Sequence, residues 1–330
     1  MSACTVIIPY YQTELGILNR ALKSVLAQTF NDFEILIVDD QSPLPVEQEL
    51  ELLTPQERAR VRVLKQPNGG PGGARNTGMD NVGADCAFIA FLDSDDIWMP
   101  NHLANARRAI VEFGAECFWD TISADTGFDP YMKFQQIENQ GLLARIPSQD
   151  DFFQITDMQR ALLVNWWHFF HMSSFAAARP IFETARFDED FRIACEDLLF
   201  FFSCAQTARK VVVCEEVGAN RGRGDNLYHG TKFGSVKAFR QLYYSILATQ
   251  RLRKQGNYSG DDYKKIDAWQ QETREHAVRN ALSGIIRGRF RILPVFFKWV
   301  IKDPIFLWTT VEMSCKLMSK RAFRSAWTSP

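Results

Sequence analysis

The 330-residue sequence lacks an excess of charge of either sign. Lys and Arg together number 38 and Asp and Glu 39, so the formal net charge is −1. A balanced charge excludes a broad basic surface of the kind that binds nucleic acid, and it also excludes a long acidic tail. No repeat period or low-complexity segment is present, so solenoid and fibrous architectures are excluded as well.

The sequence also lacks paired cysteines and long apolar runs. Its seven cysteines are never spaced as Cys-x-x-Cys, and several lie in apolar runs such as that around Cys214, which indicates buried, reduced thiols. No run approaches the roughly 18 to 20 apolar residues that cross a bilayer. Residues 1–9 show no basic segment followed by an apolar one. We therefore expect a cytoplasmic protein without a membrane span.

What the first hundred residues do contain is an alternation of short apolar strands and helical patterns. Strands are predicted at residues 4–9, 33–39, 60–64 and 87–92. Thr13 is predicted to cap the first helix, with Leu15 on its buried face. This order predicts an α/β fold with a mostly parallel, Rossmann-like central sheet flanked by helices. Ligands of such sheets bind beyond the carboxyl ends of the strands.

Acidic residues follow two of these strands. Asp39 and Asp40 end the second strand, where they could start a turn or accept a hydrogen bond from a ligand. Asp93, Asp95 and Asp96 follow the fourth strand. A helix cap explains only one of these three, and a divalent cation such as Mg²⁺ or Mn²⁺ explains them together.

Three further segments could belong to a site. Residues 68–76 are glycine-rich and include Arg75, but they match neither a Walker A loop nor a dinucleotide fingerprint. Glu196 and Asp197 begin an apolar helix, where acids are favoured by the helix dipole or could act as a general base. Residues 220–229 form a polar loop that ends at His229. Each segment alone also fits a purely structural role.

Taken together, these segments resemble the family 2 inverting glycosyltransferases, which have a GT-A fold. The matching stretches occur in the family's order within about residues 3 to 230, and they are residues 6–11, 26–40, 72–78, 91–100 and 196–197. Within the family, the Pro-Tyr-Tyr and glycine-rich stretches are most similar to glucosyltransferases of bacterial succinoglycan-type exopolysaccharide assembly.

The resemblance implies a role for each matching residue. It implies that Asp40 binds the uracil ring, that Pro9 and Tyr11 line the nucleotide pocket, and that Arg75 adds a base contact. It implies that Asp93 contacts the ribose and that Asp95 binds the metal, with His229 as a further candidate ligand. It implies that Asp197 is the general base.

The resemblance also implies the reaction. We expect an Mn²⁺- or Mg²⁺-dependent enzyme that moves one glucose, with a β linkage, from UDP-glucose to a hydroxyl of a lipid-linked saccharide. The Gln-x-x-Arg-Trp signature of processive members is absent. Residues 1–232 would form the catalytic domain, with a nucleotide-sugar half (1–100) and an acceptor half (101–232).

The remaining residues, 233–330, are expected to form a helical region that is both basic and aromatic. From Arg287 onwards the chain carries nine basic and two acidic residues, and three of its eight tryptophans. Such a segment could lie on an anionic membrane surface, which would make the protein peripheral at the inner face of the cell membrane. It could equally pack its aromatic side chains into a helical core. Both interpretations stay open.

Two other classes share part of the pattern. A phosphoacceptor receiver domain also has an Asp-Asp pair after a strand, but its pair follows the first strand and the chain would be far shorter. A nucleotidyltransferase shares the α/β fold and the metal, but needs a basic glycine-rich loop after the first strand. This chain has Tyr10, Tyr11 and Gln12 there.

Overall fold

The computed structural model describes residues 3–123, 130–165, 170–222 and 231–318. The strands in these ranges are β1 (Cys4–Tyr10), β2 (Phe33–Asp39), β3 (Val61–Lys65), β4 (Phe88–Phe91), β5 (Ile97–Trp98), β6 (Cys117–Ser123), β7 (Leu143–Arg145), β8 (Phe152–Ile155), β9 (Phe175–Ala178) and β10 (Val211–Asn220). The α-helices are α1 (Ile17–Leu26), α2 (Val46–Leu50), α3 (Pro55–Arg58), α4 (Gly70–Asp80), α5 (His102–Arg107), α6 (Pro130–Asn139), α7 (Met158–Asn165), α8 (Arg179–Thr184), α9 (Glu196–Thr207), α10 (Val236–Gln255), α11 (Gly260–Ile286), α12 (Leu293–Lys302) and α13 (Pro304–Met318).

These elements belong to two compact units. The first unit extends to Arg192 and resumes at Glu196, so that it includes all ten strands and α9. The second unit comprises Ile193–Cys195 and the helices α10 to α13. The sequence predicted an α/β fold with a C-terminal helical region, and this prediction is confirmed.

The ten strands form one mixed sheet in the first unit. Its order is β3-β2-β1-β4-β9-β6-β10-β8-β7, with β5 paired to β10. The half from β3 to β4 is entirely parallel, and β9 then runs antiparallel between β4 and β6. Residues Val6, Ile7 and Ile8 of β1 are fully buried, as expected for a central strand covered on both faces.

The start of α1 differs from the prediction. The helix begins at Ile17 after Gly16, whose φ of 89° is in the left-handed region, and Thr13 does not cap it. The buried Glu49 of α2 accepts hydrogen bonds from the backbone N–H groups of Gly16 (2.8 Å) and Asn19 (3.0 Å) instead. Leu15 precedes the helix and is 52% exposed, so its predicted place on the buried face is wrong.

The glycine-rich segment is helical from Gly70. Its glycines allow close packing of α4. A Cβ atom at Gly72 would lie 3.1 Å from Phe187 Cβ, and one at Gly78 would lie 2.5 Å from Ile7 Cγ2. The lack of a side chain at Gly78 therefore lets α4 pack directly on the central strand β1.

The second unit has a core of its own. Phe239, Ala277, Ile292, Trp299 and Phe306 are among its buried residues. None of the helices in the described ranges is long and apolar enough to cross a bilayer.

The aromatic residues of the second unit divide between core and surface. Trp299 and Phe306 are buried and stack at 4.3 Å, whereas Phe297 is 61% and Trp308 70% exposed. Packing into a helical core therefore accounts for only some of these aromatic residues.

We predict that Gly78→Ala destabilises the first unit, because the new methyl group would overlap Ile7 Cγ2. Overpacking of this kind costs about 1–3 kcal/mol, and urea unfolding would measure it. Gly83→Ala is the matched control, since a Cβ there meets nothing within 4 Å. An unchanged midpoint for Gly78→Ala would contradict the close packing of α4 on β1.

Candidate active site

The carboxyl ends of β2, β1 and β4 meet at one edge of the sheet. The strands are parallel and adjacent, so Asp40, Tyr11 and Asp93, which follow them, come to the same edge. This is the edge at which open α/β sheets bind ligands. The structure therefore brings together three regions that the sequence singled out.

Asp40 holds the start of α4. Its buried carboxylate accepts hydrogen bonds from the backbone N–H groups of Gly69 (2.7 Å) and Gly70 (2.9 Å) and from Gln66 Nε2 (2.7 Å). These bonds satisfy donors that the first turn of a helix leaves unpaired. The predicted contact of Asp40 with a uracil ring stays a prediction, beside this observed structural role.

Pro9 and Tyr11 lie at the end of β1. Pro9 is half-buried, and the side chain of Tyr11 is 46% exposed at the edge of the sheet. The next residue, Gln12, is buried and joins the strand ends. Its N–H donates to Ser42 Oγ (2.9 Å) and its Nε2 donates to Ser94 Oγ (2.9 Å). Sequence reasoning did not select Gln12.

The segment 93–96, which we call the acidic turn, is fixed by Ser173. Ser173 Oγ accepts from the N–H of Asp93 (3.1 Å) and donates to Asp96 Oδ2 (2.6 Å). Asp96 Oδ1 also accepts from the N–H of Gly222 at 2.9 Å. A Cβ at Gly222 would collide with the carbonyl oxygen of Asp95, so only glycine fits there.

The three carboxyl groups of the acidic turn titrate differently. Burial alone would raise the pKa of Asp93, but the Arg75 guanidinium, with a smaller contribution from His171, holds it below its usual value. Burial and the neighbouring Asp93 raise the pKa of Asp95 to about 6. Burial, Asp93 and Asp95 raise the pKa of Asp96 to about 8. The turn therefore gathers more carboxyl groups than its surroundings neutralise.

His171, which precedes β9, lies beside the acidic turn. Strand β9 runs antiparallel to β4, so the residues before β9 lie beside those after β4. One ligand atom each from Asp93, Asp96 and His171 lie within 4.8 Å of one another. Two carboxylate oxygens and one imidazole nitrogen at this spacing form a donor set that suits a divalent ion such as Mn²⁺.

The sequence predicted Asp95 and His229 as metal ligands. Asp95, which the resemblance implied as the ligand, is not a member of the group, and its role in metal binding stays a prediction. His229 lies outside the described residues. Sequence reasoning missed His171 because it is 75 residues from Asp96 and follows an aromatic segment that is typical of a buried core.

Arg75 connects the acidic turn to α9. Its Nη2 donates to Asp93 Oδ1 at 2.6 Å, and its Nη1 lies 3.5 Å from Glu196 Oε1. Only 3% of Arg75 is exposed, and its guanidinium lies 5.3 Å from the centre of the Phe187 ring. The guanidinium therefore bridges two acids, a role that the sequence did not predict. The base contact expected of Arg75 stays a prediction.

The N-terminus of α9 carries Glu196 and Asp197, as the sequence predicted. Burial and the neighbouring Asp197 raise the pKa of Glu196 to about 7. Burial also raises the pKa of Asp197, although its Oδ1 accepts a 2.7 Å hydrogen bond from the N–H of Leu198. Glu196 pairs with Arg75, whereas Asp197 has no ion pair among the described residues. Of the two acids, Asp197 is therefore the better candidate for a proton acceptor.

Comparison with known proteins identifies the family. The family model for glycosyl transferase family 2 matches residues 5–181. The chain belongs to this family. The resemblance inferred from the motifs is thus confirmed, and the site lies in a family 2 glycosyltransferase.

One curated relative of this family 2 chain matches it almost end to end. The chain is 37% identical over 320 residues to the succinoglycan biosynthesis protein ExoW of Rhizobium meliloti (strain 1021). The match covers 97% of this chain and 100% of the relative.

Solved glycosyltransferases share the fold. The crystal structure of S. aureus TarS in complex with UDP-GlcNAc matches with a TM-score of 0.56 and 18% identity, over 84% of this chain and 72% of that one. The mannosyltransferase PcManGT from Pyrobaculum calidifontis, in complex with GDP-Man and Mn²⁺, matches with a TM-score of 0.53 and 15% identity, over 99% and 88%. These similarities establish the GT-A fold.

We predict that Arg75→Lys lowers the free energy of unfolding by about 3–5 kcal/mol, because a single ammonium cannot bridge Asp93 and Glu196 and leaves a buried charge unpaired. Urea unfolding would measure the change. Arg107→Lys is the control, since its ion pair with Glu112 is exposed. If both variants unfold alike, the buried bridge does not stabilise the fold.

Proposed function

We propose that this protein is a metal-dependent, inverting glycosyltransferase that transfers one glucose from UDP-glucose to a hydroxyl of a lipid-linked oligosaccharide. The transfer would form a β linkage during assembly of a bacterial exopolysaccharide, at the cytoplasmic face of the membrane. One observation carries the proposal. The acidic turn and His171 present a donor set that suits a cation, and Arg75 connects the turn to Glu196, the residue beside the candidate base Asp197 on α9.

The relatives support a nucleotide sugar as the donor and polysaccharide synthesis as the pathway. TarS was crystallised with UDP-GlcNAc and PcManGT with GDP-Man and Mn²⁺, so this fold accommodates nucleotide sugars. ExoW is named for succinoglycan biosynthesis. In this chain Asp40, Pro9 and Tyr11 lie at the sheet edge where a uridine would bind. Asp93, which follows β4 at the same edge and binds Arg75 of α4, would contact the ribose.

The diphosphate would bind at the acidic turn. Asp93, Asp96 and His171, with Asp95 beside them, would hold a divalent ion there, and that ion would offset the negative charge that develops on the leaving diphosphate. The protein's part is to present these ligands in fixed positions. Ser173 does this for the turn, because its hydroxyl contacts both Asp93 and Asp96.

The acceptor would be deprotonated by Asp197. Its carboxylate takes the proton from the attacking hydroxyl, whose oxygen bonds to the anomeric carbon on the face opposite the departing UDP. The configuration at that carbon is therefore inverted. The raised pKa of Asp197 suits this task, because a stronger base accepts the proton more readily. The base would act in its ionised form, so activity should fall when the pH drops below that raised pKa.

Nucleotide release by the purified protein tests the proposal. We expect UDP-glucose to be hydrolysed slowly in the presence of Mn²⁺ or Mg²⁺, and EDTA to abolish the release. A panel that includes UDP-GlcNAc, UDP-galactose and GDP-mannose would define the donor. Release or binding with none of these nucleotide sugars would refute the function, and net synthesis of a sugar nucleotide would favour a nucleotidyltransferase.

We predict that Asp197→Asn lowers transfer by about 10²–10⁴-fold, which is the usual contribution of a general base. UDP binding, measured by calorimetry, should be nearly unchanged. The reason is that Asp197 lies on α9 and not at the carboxyl ends of β1 and β2, where the uridine would bind. Glu183→Gln is the control, because its carboxylate forms an ion pair with Arg179 at the surface, and it should transfer like the wild type. Loss of UDP affinity in Asp197→Asn would show that this residue supports the donor site instead.

We predict that His171→Gln raises the Mn²⁺ concentration needed for half-maximal UDP release by about 10–100-fold, as expected when a ligand or its close support is removed. His276→Gln, in the second unit, is the control and should leave the Mn²⁺ dependence unchanged. Equal Mn²⁺ requirements in all three proteins would exclude His171 from the cation site.

A further inference from the structure

Exposed apolar side chains concentrate in one short segment of the second unit. Among the described residues fourteen large apolar side chains are exposed, and half of them fall between residues 290 and 311. These seven are Phe290, Phe297, Ile301, Ile305, Leu307, Trp308 and Val311. Scattered apolar side chains are normal on a protein surface, but a concentrated patch of this kind marks an interaction site.

The spacing of these residues places them on one face of each helix. On α12, Phe297 and Ile301 are four residues apart; on α13, Ile305, Trp308 and Val311 follow at intervals of three. We call these five residues the outer face. Their exposed fractions range from 50% for Val311 to 77% for Ile301.

The opposite sides of the same helices are also apolar. Trp299 of α12 and Phe306 of α13 are fully buried in the core of the second unit. A surface helix of a soluble protein normally pairs one apolar stripe with a polar one. Here both helices are apolar on the inside and on the outside, which the core of the unit does not require.

Most of the charges beside the outer face are positive. Arg287, Arg291, Lys298 and Lys302 are exposed. Between residues 287 and 315 the acidic side chains are Glu312, which is exposed, and Asp303, which is only 2% exposed and binds Arg274 at 2.8 Å. The exposed charge of this segment is therefore mostly basic.

We propose that the outer face of α12 and α13 docks on an anionic lipid bilayer. Phe297, Ile301 and Trp308 would enter the boundary between headgroups and acyl chains, while Lys298 and Lys302 would remain among the lipid phosphates. Exposed aromatic and aliphatic side chains bordered by cations are typical of helices that lie in the membrane interface. The surface is defined by the second unit alone and does not depend on the proposed donor or reaction.

Vesicle sedimentation with the full-length protein tests this proposal. We expect binding to vesicles of phosphatidylcholine with about 30% phosphatidylglycerol and weak binding to pure phosphatidylcholine, because basic residues are attracted to anionic lipid. Raising NaCl to about 0.5 M should weaken the binding, since it screens that attraction.

Three double variants locate the surface. Ile301→Ser with Trp308→Ser should lower the partition coefficient by about tenfold or more, because two large apolar side chains no longer leave water. Leu52→Ser with Val111→Ser is the control, because it alters apolar side chains that are also exposed, at 49% and 53%, but lie in the first unit, and it should bind like the wild type. Lys298→Gln with Lys302→Gln should weaken binding to anionic vesicles only.

The proposal is overturned if the wild type does not sediment with anionic vesicles, or if the Ile301/Trp308 variant binds as the wild type does. It is also overturned if light scattering shows that this face forms a dimer that does not bind lipid. UDP-glucose hydrolysis without vesicles should be the same in all of these proteins. That assay separates a failure of membrane docking from a failure of the proposed function.

Discussion

The buried guanidinium of Arg75 is the contact on which the rest of the site depends. It binds Asp93, the first residue of the acidic turn, and it pairs with Glu196, the first residue of α9. A buried cation is costly unless anions surround it, and the anions are equally costly without the cation. The acidic turn and the N-terminus of α9 are therefore held in one arrangement, although 103 residues separate Asp93 from Glu196.

The same site is short of positive charge. Burial and mutual repulsion raise the pKa of Asp95 to about 6, of Asp96 to about 8 and of Glu196 to about 7. Arg75 stabilises the ionised form of Asp93 but does not bring these three back to their usual values. A divalent ion beside Asp93, Asp96 and His171 would supply the missing charge, which is the physical reason for proposing a metal-dependent reaction.

The second unit is stabilised by a core and a buried ion pair of its own. Its helices bury Trp299 and Phe306, and Arg274 forms a buried ion pair with Asp303 between α11 and the start of α13. Because this core is complete without Phe297, Ile301 and Trp308, those side chains are available for another partner. If the proposed membrane docking holds, the basic and aromatic residues of this region serve two purposes at neighbouring positions of the same helices.

The local pattern of residues was enough to predict the strands β1 to β4, the family and the acids at the strand ends, because each depends on apolar runs and motifs that are contiguous in the chain. Asp40 and Asp93 at strand ends and Asp197 at the start of a helix were singled out in this way, and their roles stay predictions. The roles of Arg75 and His171 were not, since they follow from β9 running antiparallel beside β4 and from α4 lying on β1. Glu49 capping α1 is a further case. Tertiary structure alone decided these contacts, because partners joined by folding leave no periodic or contiguous signal in a single sequence.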